Sequence, residues 1–423
     1  MAKPKLALIP AAQGDKFYSV LPSDGVGDFT FARASTGTRI APTGLIQEVA
    51  SGDSRLNYDL LNGKVVNCPH YLLEPARTNV MLQSNQFDTT WVFTRASVSQ
   101  GYLSPDGSLN AWAFIDNTTD STHLMVQSAS LGAVTSTASI YAKAGTRDFI
   151  AFRFEGNTGV DYAYFDVKNG IIGDVNSDYI DVSMEDAGNG WYRCIATRVL
   201  AASGNQFIVL SADTNGDPTY AGNGDNALYI FGAQVEEGSY PTSYIPTNGT
   251  AITRAAESAD GSGDAATFND SEGVLMAEIA ALANDGTYRQ ISINDSSTNN
   301  RITLDFTNTD NQIRSFISFN GTSQALMVGS TIATNQSKAA VSYKSNDFSL
   351  WLNGFKVDTD TNGSVPTGLN NLNFDNGGGA NDFYGKTREV QYFDSALTDA
   401  QLETLTSWTS LQEMITSQLY TNY

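Results

Sequence analysis

The sequence predicts an all-β protein: two β-sandwich (jelly-roll) domains in tandem, an extended N-terminal arm and a short C-terminal helix. Three observations predict it. Charged residues make up only 16% of the chain, while Gly, Thr, Ser, Asn and Asp abound, which suits sheets with many turns and not long helices. Short apolar segments recur down the chain with Gly, Asn or Asp between them, and helical periodicity of useful length appears only near the end. At residues 227–254, ALYIFGAQVEEGSYPTSYIPTNGTAITR, a strand runs into a stretch holding Pro241, Pro246 and Gly249. Proline removes ladder donors and fixes φ, so one β unit must close there and a strap must lead to the next.

Residues 1–75 read as the arm. DFTFARASTGTRI suggests a strand leading to a Gly-Thr turn, and RLNYDLLNGKVV is a hairpin across Asn62-Gly63. These pieces hold too little apolar material for a core of their own, so the arm is expected to pack on a neighbouring domain or partner. Residues 76–250 form the first sandwich, with strands in TASIYAKAG, DFIAFRFEG, VDYAYFDVKNG, GWYRCIATRVL and QFIVLSAD. ALYIFGAQVEE is the last strand, and the strap, held by Tyr240 and Tyr244, follows it. Residues 251–423 form the second sandwich, in which Asn353-Gly354 is a tight hairpin turn. SALTDAQLETLTSW then predicts a helix capped by Thr398 or Asp399, with Leu397, Leu402 and Leu405 on one face, and LQEMITSQLY adds a second apolar-periodic piece.

Composition excludes several function classes. At 423 residues the chain exceeds a single core, and 41% hydrophobic residues are enough to bury two. A net charge of -21 argues against a nucleic-acid partner, because phosphate binding needs clustered Lys and Arg. No run reaches the roughly 20 apolar residues that span a bilayer. The start, MAKPKLALIPAA, has a short apolar run broken by Pro10, so no signal peptide is expected. Cys68 and Cys194 lie far apart without metal-ligand spacing and read as free buried thiols. His70 and His123 sit in no nucleophile motif and read as structural.

Five motifs stand in a fixed order: FARASTGTRI (residues 31–40), YLLEPARTNVMLQSNQF (71–87), YAKAGTRDF, NGWYRC (189–194) and the strap GAQVEEGSYPTSYIPT. Together they resemble a segment of bacteriophage virion structural proteins of the head-fibre, capsid-decoration or tail-appendage type. The resemblance implies a first sandwich like a carbohydrate-binding module, and in the second SLWLNGFKVD followed by YFDSALTDAQLETL resembles the late hairpin, final strand and closing helix of a concanavalin A or laminin-G domain. It further implies virion localisation after assembly in the host cytoplasm, docking to other virion proteins through the arm, and a homo-oligomer, with a trimer as the analogous case. Cell-surface glycans are then the candidate ligands. A glycan-active enzyme or its accessory module, and a purely architectural spacer without ligand, are the alternatives.

Candidate chemistry follows from residue types. The strands around Glu278, Asp305 and Glu389 carry no carboxylates at the alternating positions a glucanase needs, so no enzyme is expected. Sugars stack their C–H faces on aromatic rings while Asp, Asn, Gln or Arg meet their hydroxyls. Period two puts Tyr162 and Tyr164 on one face and pairs Phe152 with Phe154 elsewhere. Tyr162 and Tyr164, with Trp91 and Trp112, are therefore the glycan-binding candidates. DTNGDPTYAGNGDN offers Asp213, Asp217 and Asp225 as oxygen ligands for calcium, the one candidate cofactor.

Overall fold

A computed structural model describes residues 3–129, 131–155, 161–200 and 205–408. The protein is all-β, as its composition predicts, and its strands gather into two sandwiches. In the first, a sheet running Ala96–Tyr102, Ala111–Asp116, Asn226–Glu237, Thr135–Ala144, Trp191–Val199, Tyr179–Gly188 faces a second sheet built around Phe149–Glu155, Gln206–Ala212 and Asp120–Ser128. Alternation along each strand sends Phe114, Ile140, Phe152, Phe154, Phe207 and Ile230 into one core between them.

The second sandwich is built from both ends of the chain. Its smaller sheet contains Arg289–Asn294, Arg301–Phe306, Gln312–Phe319 and Thr322–Ser330. In its larger sheet, Gly385–Phe393 pairs with Glu272–Ala281 on one side. On the other it pairs with Leu6–Gln13, register Leu6 to Tyr392 and Leu8 to Val390, and with Lys64–Leu73, register Thr387 to Tyr71. The first 75 residues are thus packed on a neighbouring domain, the second sandwich. Leu6, Leu8, Phe17, Phe29, Phe31 and Tyr71 are buried in the same core as Leu275, Ile302 and Tyr392. Strands too poor to bury a face alone complete a sheet that would otherwise end bare.

The first sandwich therefore stands as an insertion. The chain leaves for it through Arg77–Asn79 and returns through Ile252–Arg254, and these two segments pair antiparallel with Thr78 opposite Thr253. Local signals hold where they were read. Asn62-Gly63 and Asn353-Gly354 both carry positive φ at each residue, the backbone that a tight hairpin needs. The helix Asp399–Ser407 starts at Thr398, whose side chain and that of Gln401 cap one another. Its Leu402 and Leu405 close over Val274, Trp351 and Phe393. The second apolar-periodic piece, 411–420, lies outside the described residues. Cys194 is buried, whereas Cys68 is exposed, against expectation.

Candidate functional site

The aromatic candidates divide. Trp91 and Trp112 are 5% and 4% exposed and belong to the first sandwich's core, so neither can form a sugar platform. Each indole N–H is satisfied inside, donating to the carbonyl of Gln83 or of Asn85 at 2.8 Å. Tyr162 and Tyr164 lie with ring centroids 5.6 Å apart on the face turned away from that core, beside Ala151, Ile208 and Leu210. Tyr164 is 2% exposed, however, and only Tyr162 is half-buried. The loop after Ala212 folds back over this region, where the Asn215 amide and Asp174 exchange two hydrogen bonds of 2.7 Å.

Asp213, Asp217 and Asp225 are not gathered into a calcium site. Arg147 takes the Asp213 carboxylate at 2.8 Å, Asp217 caps the Thr219 N–H, and Asp225 accepts from the Asn223 amide. Turn-forming acids here satisfy their own loop backbones and one guanidinium, and among the described residues no three His, Cys, Asp or Glu side chains come close enough to hold a metal. His123 is buried between the carbonyls of Arg95 and Tyr220.

Arg33, Glu74 and Ser243, from three of the ordered motifs, join Arg55, Arg254 and Glu257 in a buried ionic clamp at the neck between the sandwiches. Arg33 binds Glu257 at 2.8 Å; Arg55 binds Glu257 and also Glu74, the latter at 2.7 Å; Arg254 reaches Glu74 at 2.9 Å. Ser243 of the strap joins in, receiving a hydrogen bond from Arg55 at 2.7 Å and donating to Glu74 at 2.6 Å. Burial alone would raise the Glu74 pKa, but Arg254 and Arg55 outweigh it and hold the carboxyl well below the ordinary range. The strap is fixed along its length. Gln234 accepts from the Ile245 N–H, Glu236 from the Thr242 N–H, and Thr38 donates to the Tyr244 carbonyl at 2.6 Å. The Tyr244 hydroxyl meets Ser84 at 2.8 Å.

Beside this clamp a cleft opens. One chamber, of about 650 Å³, lies between the strap, the strands around Glu185 and Arg193, and the 281–285 loop of the second sandwich. A second, of about 960 Å³, lies under the hairpin Leu56–Leu61/Lys64–Leu73. The two share Ile40, Asn57, Tyr141, Glu185, Arg193 and Lys386, so they adjoin across a common waist. The hairpin tip spans this space, its Gly63 N–H donating to Asp186 at 2.5 Å.

Tyr141 forms the waist. It is 5% exposed, and its ring packs edge-on against Tyr244, 6.2 Å between centroids, with the Arg193 guanidinium 5.5 Å from its own centroid. Gly232 makes room for both rings: with φ +65, a Cβ there would stand 3.1 Å from Tyr141 and 3.2 Å from Tyr244. Burial pushes the Tyr141 phenol up, so it stays a neutral donor at any ordinary pH. Its hydroxyl has no partner among the described residues. Arg193 is anchored to the Thr242 carbonyl at 2.7 Å and to Ser139 at 3.0 Å, with Glu185 3.6 Å away. Lys386 and Arg388 pair with Asp59 at 3.1 and 3.2 Å. Polar groups at fixed angles beside tyrosine rings are the equipment for holding a polyhydroxylated ligand. Tyr141 and Arg193 stood in the sequence within YAKAG and NGWYRC, but nothing local marks them as facing one cleft.

Residues 264–403, within the second sandwich, match the model of the concanavalin A-like lectin/glucanases superfamily. No curated protein matches the chain in sequence. Among solved structures, the chain is similar to the Ruminococcus gnavus IT-sialidase CBM40 bound to alpha2,3 sialyllactose, at 16% identity and TM-score 0.30, over 35% of this chain and 94% of that one. It is similar to domains LG4-5 of the mouse laminin alpha1 chain, at 11% identity and TM-score 0.24, over 66% and 90%. It is also similar to the Bacteroides ovatus xyloglucan PUL GH43B, at 10% identity and TM-score 0.22, over 94% and 98%.

Proposed function

We propose that the chain is a bacteriophage virion structural protein, a head fibre, capsid decoration or tail appendage, that holds a glycan in the cleft between its two sandwiches. The observation that carries the glycan part is the Tyr141 hydroxyl, a donor without a partner among the described residues, at the shared waist of two chambers lined by amides, carboxylates and tyrosines. The lectin-like character of the second sandwich supports the same ligand class. The virion part rests on the five ordered motifs, and peptides of the chain in density-purified phage particles would support it; particles free of the chain would refute it. Attachment through the first 75 residues would have to use the outer side of strands already bound into the sheet, and trimer formation stands by analogy alone.

The protein is proposed to bind and not to cleave. Supporting this, the cleft carboxylates Glu74, Asp59 and Glu185 each face a cation. A glycan array with the full chain tests the function. Retention is expected on some array positions, with affinity lowered about three- to tenfold by Tyr141→Phe, the worth of one hydrogen bond, at unchanged melting temperature. Loss of binding in Tyr162→Ala with full binding in Tyr141→Phe would move the site to the other face. Release of new reducing ends during incubation would establish the enzyme instead.

A further inference from the structure

Resting on that glycan reading, we infer that the cleft takes an internal segment of a neutral, linear glycan chain and not a chain end. A site for a terminal sugar needs one closed pocket. Here two chambers, each within the range of about 300–1,000 Å³ that receives a drug-sized ligand, adjoin through a waist and both open to solvent. Their far walls belong to different sandwiches. Asn169 and Gly170, from a turn of the first, line one chamber; Asn284, Asp285 and Thr334, from the second, line the other. A ligand touching both walls must pass Tyr141 on the way, which leaves the phenol to donate to a sugar in mid-chain.

Neutrality follows from the charges at the waist. Arg193 faces Glu185 and Lys386 faces Asp59, so the two cations common to both chambers are already engaged. An acidic polysaccharide would have to displace these carboxylates and approach a chain of net charge -21. A neutral chain meets neither cost, and its hydroxyls can use the exposed amides of Asn169 and Asn284.

Calorimetry on the full chain with soluble glucan, xylan, mannan, galactan and the acidic alginate tests this, followed by purified oligosaccharides of whichever polymer binds. Affinity is expected to rise about tenfold or more from disaccharide to hexasaccharide, and to be the same after borohydride reduction of the chain end. Asn169→Ala and Asn284→Ala should each weaken the hexasaccharide about threefold and leave the disaccharide unchanged. Equal affinity for monosaccharide and hexasaccharide, loss of binding on reduction, or preference for alginate would overturn the inference while leaving glycan binding intact. Binding of no saccharide at all would overturn the proposed function, and the inference with it.

Discussion

Glu74 shows what the neck demands of single residues. Its carboxylate is buried against Arg55, Arg254 and Ser243. A buried ion pair adds little over an apolar substitute, but losing one partner strands the other charge. Glu74→Gln should therefore lower unfolding stability by about 3–5 kcal/mol, read from urea denaturation at neutral pH. His70 makes a second prediction. Burial first, then the nearby Lys386 ammonium, pushes it down from 6.5 to about 3, so the folded protein keeps it neutral. Its folded value lies below its unfolded one, so its contribution is whole above pH 6.5 and is lost as pH falls towards 3. Stability should decline by up to about 1.4 kcal/mol per pH unit in that window, and His70→Asn should flatten the decline. Glu74 sits in a motif legible in the sequence, but its partners Arg55 and Arg254 do not. The LLEPARTN run names Glu74 without naming Arg254.

At the scale of elements, local chemistry was readable and distant pairing was not. Asn62-Gly63, Asn353-Gly354 and the Thr398 cap are decided by backbone angles and hydrogen bonds within a few residues. Alternation likewise puts Phe152 and Phe154 on one face of their strand and Tyr162 and Tyr164 on one face of the next segment. Alternation says which residues share a face but not what covers it, which is why the glycan-binding candidates Trp91 and Trp112 belong to the core. The placement of Leu6–Gln13 beside Gly385–Phe393 depends on strands at opposite ends of the chain, which no local pattern reports. It carries a test. Removing residues 1–75 should leave Gly385–Phe393 with an unpaired edge and expose Leu275, Ile302 and Tyr392, so the second sandwich should lose its cooperative thermal transition. An independent docking arm would come off with that transition unchanged.

For the whole molecule, the ends of the chain make one sandwich, the middle makes another, and the ordered motifs supply part of the clamp that fixes their relation. The strap is stiff because Gln234, Glu236, Thr38 and Ser84 each hold it. Its fixity has a consequence for function, since a cleft walled by two sandwiches keeps its shape only if they do not move. The cleft itself was invisible in the sequence because its walls come from 57, 141, 193, 284 and 386, which only the insertion topology brings together. Amide hydrogen exchange on the full chain, with and without saturating glycan, tests the central claim most directly. Slowed exchange is predicted together in Lys64–Leu73, Trp191–Val199 and the 281–285 loop, with Ala163–Asp166 unchanged. Protection confined to Ala163–Asp166 and the strands beside it, with the cleft walls exchanging as before, would contradict it.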